Sequence, residues 1–255
     1  MHADVSKCEA VAGQRRGGRL YAESIKPNAD AARLKLEARI RRHYHLRWIP
    51  VEAVGETFQI AKVADPNSVF EEAMYDEKRQ GDTPLEWQPY WAEAWESSVV
   101  LAQVVAEQGC QGQTVLDLGC GVGVVGAIAA GLGAQVMMGD IALPGLLFCQ
   151  LNAWPWRERA VVRRIDWEND RLKNRFDCIA NADVVYDRRN WPALDRFWRH
   201  HLAPGGVVLV TEPNRISGRE FRAAIVEMGW HLDGSLGVRR SGEREIVISR
   251  LKPRY

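Results

Sequence analysis

The residues best suited to chemistry stand in one stretch, Val115-Leu116-Asp117-Leu118-Gly119-Cys120-Gly121-Val122-Gly123-Val124-Val125-Gly126. Thr114 to Leu118 is an apolar, β-prone run broken only by Asp117. Gly119, Gly121 and Gly123 permit positive φ and close approach of a ligand to the backbone. Val122 to Ala130 is apolar and alanine-rich, which predicts a buried helix ended by Gly131 and Gly133. A helix start behind a glycine turn offers N–H groups and a positive dipole end to an anionic group. Two ligands suit such a turn. Gly121-x-Gly123-x-x-Gly126 matches a dinucleotide fingerprint, a weak signal alone. S-adenosylmethionine is the other, because its amino group wants a carboxylate at the strand end and its adenosine wants the glycines. Asp117-x-Gly119-x-Gly121 supplies both. A carboxylate two residues before the first glycine would repel a pyrophosphate, which favours the sulfonium ligand. A third reading is a tight strand-to-helix turn with no ligand.

More acids stand where strands should end. Asp140 closes a second buried strand, Ala134 to Gly139, and can hydrogen-bond both ribose hydroxyls of an adenosine. It would serve NAD equally well. Asp166-Trp167 follows a third strand, Ala160 to Ile165. Such a carboxylate can accept from an adenine amino group while the indole covers the ring; the alternative is a loop with an N-cap Asp. A fourth strand, Arg175 to Ala180, leads into Asn181-Ala182-Asp183-Val184-Val185-Tyr186-Asp187. In an open α/β sheet that end lines the ligand crevice, so Asp183 and Tyr186 are candidates for the reacting end and Asn181 for a cofactor contact. Tyr186 also fits as a plain core tyrosine.

These ends need a frame. Asn28 to Tyr44 reads as a helix, capped by Asn28 or Asp30, with Leu36, Ile40 and Tyr44 on one face. The runs from Leu46 to Val51 and Thr57 to Val63 alternate like strands around Gly55, a small β element over the main domain. Phe70 to Gly81 reads as a loop or short helix. Pro89 to Gln108 reads as one helix, in which Trp91 and Trp95 are either core anchors or pocket walls. Helices from Pro144 to Ala153, Asn190 to Leu202 and Ser217 to Met228 alternate with the strands. A fifth strand, Val207 to Thr211, follows the turn Pro204-Gly205-Gly206. Trp230 to Gly237 and Glu243 to Leu251 read as a terminal antiparallel hairpin. The alternation predicts a doubly wound, Rossmann-like α/β domain over residues 85 to 255, an α+β extension over 27 to 84, and a flexible arm over 1 to 26.

With 255 residues, 46% hydrophobic and 26% charged, the composition is that of an ordinary globular protein. The formal net charge of +1 argues against a dominant nucleic-acid or membrane field. No apolar run reaches transmembrane length. The five cysteines show no ligand spacing, so the expectation is reduced thiols, a cytoplasmic location and no metal.

With these residues in place, the chain resembles the class I, seven-stranded S-adenosylmethionine-dependent methyltransferases, over about residues 85 to 251. Within them it is similar to the family-16 group, which includes many protein-lysine methyltransferases. The likeness is carried by the Asp117–Gly121 stretch, by the Asp166-Trp167 step, and by Asp183-Val184-Val185-Tyr186, which matches an Asp-x-x-Tyr motif. Pro89-Tyr90-Trp91-Ala92 with Trp95 looks like the first helix of relatives that methylate lysines of the electron-transfer flavoprotein β subunit, where the tryptophan matching Trp95 borders the cofactor. The resemblance implies strand order 3-2-1-4-5-7-6 with strand 7 antiparallel. It also implies that Asp117 or backbone near Gly119 holds the cofactor's amino-acid end, and that the acceptor is a lysine of a protein substrate. Residues 28 to 84, where that family's specificity sits, resemble the flavoprotein-methylating relatives only loosely. A small-molecule N- or O-methyltransferase and an inactive adenosyl-binding scaffold are the alternatives. A lysine must be neutral to attack, although its free pKa is about 10.4. Asp183 is then expected to orient the amine, and less so to act as its base.

Overall fold

The computed structural model describes residues 27–80, 88–233 and 237–254. The expected arm over 1 to 26 and the boundary between 84 and 85 lie outside these. The chain opens with α1 (Pro27–Arg41), then an antiparallel hairpin of β1 (Leu46–Ala53) and β2 (Glu56–Val63), then α2 (Pro66–Gln80). Val51, Ala53, Phe58 and Ile60 point inward and share one core with Trp91, Val122, Ile128 and Phe148. The extension is therefore packed into the main domain. Asn152 fastens it there: its amide oxygen accepts from Ala61 N at 2.7 Å, and its nitrogen donates to Ala61 O and Val122 O, both at 2.9 Å. The stretch expected as a loop or short helix is the 15-residue α2. Pro66 suits a first helical position, and the Asp65 carboxylate accepts from Asn67 N at 3.1 Å.

The single helix expected from Pro89 to Gln108 is two pieces, a 3₁₀ turn (Pro89–Ala92) and α3 (Glu96–Gln108). Glu93 and Trp95 between them are extended, with ψ 139° and 142°. Side-chain bonds hold the break. Glu93 pairs with buried Lys62 of β2 and accepts from Ala94 N at 2.8 Å, and the Trp95 indole N–H donates to Tyr90 O at 2.9 Å.

Then come β3 (Thr114–Leu118), α4 (Val124–Gly131), β4 (Gln135–Asp140), α5 (Leu143–Asn152), β5 (Ala160–Arg164) and β6 (Phe176–Ala182). The chain continues through α6 (Trp191–His201), β7 (Leu202–Glu212), α7 (Ile216–Glu227), β8 (Trp230–Asp233), β9 (Val238–Ser241) and β10 (Arg244–Pro253). The sheet runs β5-β4-β3-β6-β7-β10-β8. β3 to β7 are parallel, and β10 is antiparallel to both its neighbours. Numbered from β3, with β9 left out, this is the order 3-2-1-4-5-7-6 with an antiparallel seventh strand. The expected C-terminal hairpin is divided, since β9 pairs the first half of β10 and β8 its last four residues. β7 starts earlier than expected, and Ala203 to Gly206 bulge out between its pairings with Phe176 and Cys178. One core, with α3, α4 and α5, covers one face of the sheet; a second, with Leu194, Phe197, Trp198, Phe221 and Ile225, covers the other.

Replacing Asn152 with Ala strands the buried Ala61 and Val122 groups without partners. The expected loss is about 2–3 kcal/mol of unfolding free energy, read by urea denaturation. A loss under about 0.5 kcal/mol, the level of ordinary surface changes, would show that the hairpin is held by apolar contact alone.

Candidate active site

A cavity of about 430 Å³ opens at the carboxyl ends of the strands, where the order reverses between β3 and β6. Trp95, Asp117, Gly119, Gly121, Asp140, Asp166, Trp167, Asp183 and Tyr186 all line it. Asn181 does not. It is fully buried one layer below, and its amide donates to Leu118 O at 2.7 Å, so it clamps β6 to the end of β3. The expectation of a cofactor contact at Asn181 gives way to this clamp.

The glycine turn differs from an anion cradle. Four of the five N–H groups from Gly119 to Gly123 are already used: Gly119 and Cys120 donate to Gly139 O (2.8 and 3.1 Å), and Gly121 donates to an Asp140 oxygen (2.8 Å). Gly123 donates to Cys120 O (2.7 Å), and Gly126 to an Asp117 oxygen (2.8 Å). A pyrophosphate would meet the Asp117 and Asp140 carboxyls beside this turn, which counts against the dinucleotide reading. Gly123 caps α4 at φ 80°, so Gly126 is the third residue of that helix and Asp117 satisfies one of its first-turn amides from the neighbouring strand. Gly119 has φ 70°, and a Cβ there would come within 2.7 Å of Val184 Cγ1 and 3.5 Å of the Trp167 ring. The backbone there is covered closely by Val184 and Trp167.

Asp117 is 2% exposed, and burial pushes its carboxyl up to about 7, against the Gly126 N–H and with added repulsion from Asp140. Burial also raises Asp140, against bonds from the Ala142 and Gly121 amides. Each Asp140 oxygen accepts one of these bonds (2.8 and 2.9 Å), and the Ile141 amide also favours the ionised carboxyl. Asp166 shapes the loop after β5, accepting from Glu168 N at 3.0 Å and the Asn169 amide at 2.9 Å. Asp183 sits at φ 55° after β6, held by its own N–H to Thr211 O at 2.7 Å. Its carboxylate pairs with Arg215; burial raises its pKa and the guanidinium opposes this. Burial pushes the Tyr186 phenol up to about 12, with help from Tyr90 and nearby acids. Trp91 is buried among Tyr44 and Phe148 while touching the cavity, so the tryptophan pair combines an anchor, Trp91, with a wall, Trp95.

Several lining residues escaped the sequence reading: Tyr90, Glu93, Glu168, Asp187 and Arg189. Glu93 and Tyr90 lay inside an assumed helix, and no local signal marks the break after Ala92. In all, seven carboxylates and one arginine line the cavity among the described residues. No group of three His, Cys, Asp or Glu able to hold a metal ion is present among them, and no described helix is long and apolar enough to cross a membrane.

Fold and cavity together define a Rossmann-like methyltransferase sheet of seven strands with an N-terminal helix and β-hairpin. The glycopeptide N-methyltransferase MtfA, solved with sinefungin and with S-adenosyl-L-methionine, superposes with TM-scores of 0.53 and 0.51. The sinefungin complex shares 13% identity over 62% of this chain and 94% of that one, a likeness of fold alone. The chain belongs to the lysine methyltransferase family, whose model matches residues 90–225. It is 30% identical over 128 residues to protein N-lysine methyltransferase METTL21A of Xenopus tropicalis, 47% of this chain and 59% of that one. It is 28% identical over 172 residues to EEF1A lysine methyltransferase 3 of Mus musculus, 61% of this chain and 74% of that one. The first of these relatives is thus matched over about three fifths of its length.

The raised Asp117 carboxyl gives a signed pH dependence. Folded, it keeps its proton up to about pH 7, while unfolded it loses it near 3.8. The stabilisation it contributes is complete below the lower value and falls away as pH rises through the upper one, at about 1.4 kcal/mol for each pH unit between the two. Urea unfolding of the ligand-free protein should show stability declining from pH 4 to 7, and Asp117→Asn, which keeps an acceptor for Gly126 N–H, should flatten that decline. Parallel profiles would mean that Asp117 is ionised throughout.

Proposed function

We propose that the protein is an S-adenosylmethionine-dependent methyltransferase acting on a lysine side chain of a protein substrate, in the cytoplasm. Family membership supports the class, and the acid-lined cavity carries the rest: seven carboxylates against one arginine suit a cationic cofactor and an amine acceptor. The cofactor fits what the site lacks. Asp117 and Asp140 repel one another, and a ligand bearing positive charge relieves that repulsion. Asp140 lines the cavity where the ribose hydroxyls would lie, Asp166 and Trp167 flank the place for adenine, and Asp117 with the Gly119 backbone borders the amino-acid end. When bound, the cofactor supplies a methyl group on a sulfonium that leaves as a neutral thioether.

The chain's own residues then have to orient a neutral amine and keep water out. Asp183 is placed to accept N–H bonds from the acceptor. Its partner Arg215 tempers the pull that a bare carboxylate would exert toward the ammonium form. The Tyr186 phenol keeps its proton at neutral pH, so it lines the acceptor end as a ring and a neutral hydroxyl. Likeness to the flavoprotein-methylating enzymes rests on the Pro89–Trp95 segment, which here borders the cavity, so an electron-transfer flavoprotein is one substrate to assay.

Calorimetric titration with S-adenosylhomocysteine should show micromolar binding, and NADH none. Asp140→Ala, folded by circular dichroism, should weaken that binding about ten-fold or more, the scale of hydrogen bonds to a charged group. Labelled methyl transfer into cell lysate should then mark a protein band on lysine. Binding of NADH alone would overturn the proposal, and label found only in small molecules would move it to the small-molecule class.

A further inference from the structure

Three aromatic rings run in sequence from α2 into the cavity. The Phe70 ring of α2 lies 5.8 Å from the Tyr90 ring, and Tyr90 lies 5.6 Å from Tyr186, each pair tilted by 58°. Tyr90 is 39% exposed while lining the cavity, so it does not serve as core packing. A tryptophan indole bonds to the backbone at or beside each tyrosine. Trp95 donates to Tyr90 O at 2.9 Å, and Trp191 donates to Val185 O, the residue before Tyr186, at 3.0 Å. Two rings in tilted contact, each fixed by its own clamp on a 3₁₀ turn or a loop, form a preorganised corner that lines the cavity. Carboxylates line the same cavity on both sides, Glu93 three residues after Tyr90 and Asp187 one residue after Tyr186.

We propose that Tyr90 and Tyr186 form an aromatic slot that takes an alkylammonium group, with α2 backing the slot through Phe70. This rests on the methyltransferase reading of the cavity and adds the residues that admit its acceptor. Ring faces attract a cation through their quadrupole, and methylation of an amine spreads its positive charge over methyl groups that pack on such faces without removing it. Tyr186 stays an uncharged phenol at neutral pH, because burial holds its proton. The slot therefore accepts a lysine side chain or a free alkylamine by the same contacts. Tyr90 comes from the turn against which α2 packs, so α2 carries acceptor specificity into the site.

The slot is tested by its preference for charge at constant shape. Choline and its neutral isostere 3,3-dimethyl-1-butanol are titrated into the full chain by NMR, with and without S-adenosylhomocysteine. Choline should bind about ten-fold more tightly, and Tyr90→Phe should keep that ratio. In Tyr90→Leu the ratio should fall toward one, and Phe70→Ala should lower it part of the way. Equal binding of the two probes to the native protein, or an unchanged ratio in Tyr90→Leu, would overturn the slot. With S-adenosylhomocysteine bound and no charge preference, the slot fails while the methyltransferase reading stands; a preference without S-adenosylhomocysteine binding gives the reverse. In competition with choline, a trimethyllysine peptide stronger than free trimethyllysine assigns the slot to protein acceptors, and equal competition assigns it to free amines. Both support the slot.

Discussion

The bond from Gly126 N–H to the Asp117 carboxylate is the constraint on which the rest of the site depends. A carboxylate 2% exposed at the end of a central strand is expensive in a low-dielectric interior. It is tolerated because it satisfies an amide that the start of α4 leaves without a helical partner. That bond locks β3 to α4 and leaves Gly119 to Gly123 to cross the gap with three residues at positive φ. Room is scarce all around it. A Cβ on Gly126 would lie 2.3 Å from Met138 Cγ, and one on Gly145 would lie 2.7 Å from Gly121 O. The turn is packed from both sides, and the ribose-side acid is fixed to it through Gly121 N–H.

Much of this was legible in the sequence for a physical reason. Strands buried on both faces must be nearly continuous apolar runs, so β3, β4 and β6 announce themselves, and acids at their ends stand out against that background. Glycines at alternate positions have few explanations other than a turn with positive φ. The sheet order was not contained in such local signals; it followed from likeness to a family. What stayed hidden depended on contacts distant in sequence. The break at Glu93 is held by Lys62, thirty-one residues earlier, and by an indole bond back to Tyr90. Periodicity favoured a continuous helix because the apolar stripe continues across the break.

The site residues divide along the same line. Asp117 and Asp140 stand in the last two residues of their strands, and Asp166, Asp183 and Tyr186 come within four residues after theirs, so the strand pattern places them at the cavity. Asn181 shares that position in sequence, yet its side chain is buried between the strands, where its amide donates to the buried Leu118 carbonyl. Alternation of side chains along a strand distinguishes the two, and a one-residue error at a strand end is enough to exchange them.

The arrangement of charge in the cavity is itself asymmetric. At the end flanked by β3, β4 and β5, no ion pair joins Asp117, Asp140 or Asp166 to a cation among the described residues, and burial raises the first two. Around the other end each acid has a cation: Glu93 has Lys62, Asp183 has Arg215, and Asp187 has Arg189, which lowers the Asp187 pKa. A methyl transfer from a sulfonium to an amine makes opposite demands at its two ends. The sulfonium end brings positive charge and is stabilised by uncompensated carboxylates. The amine end must hold a nucleophile that would otherwise carry a proton, and uncompensated carboxylates there would keep that proton on. Paired acids offer hydrogen-bond acceptors without the full negative field. The cations that provide this come from β2, from the loop after β6 and from the residue before α7, so three separate parts of the chain converge to set the charge of one end of the cavity.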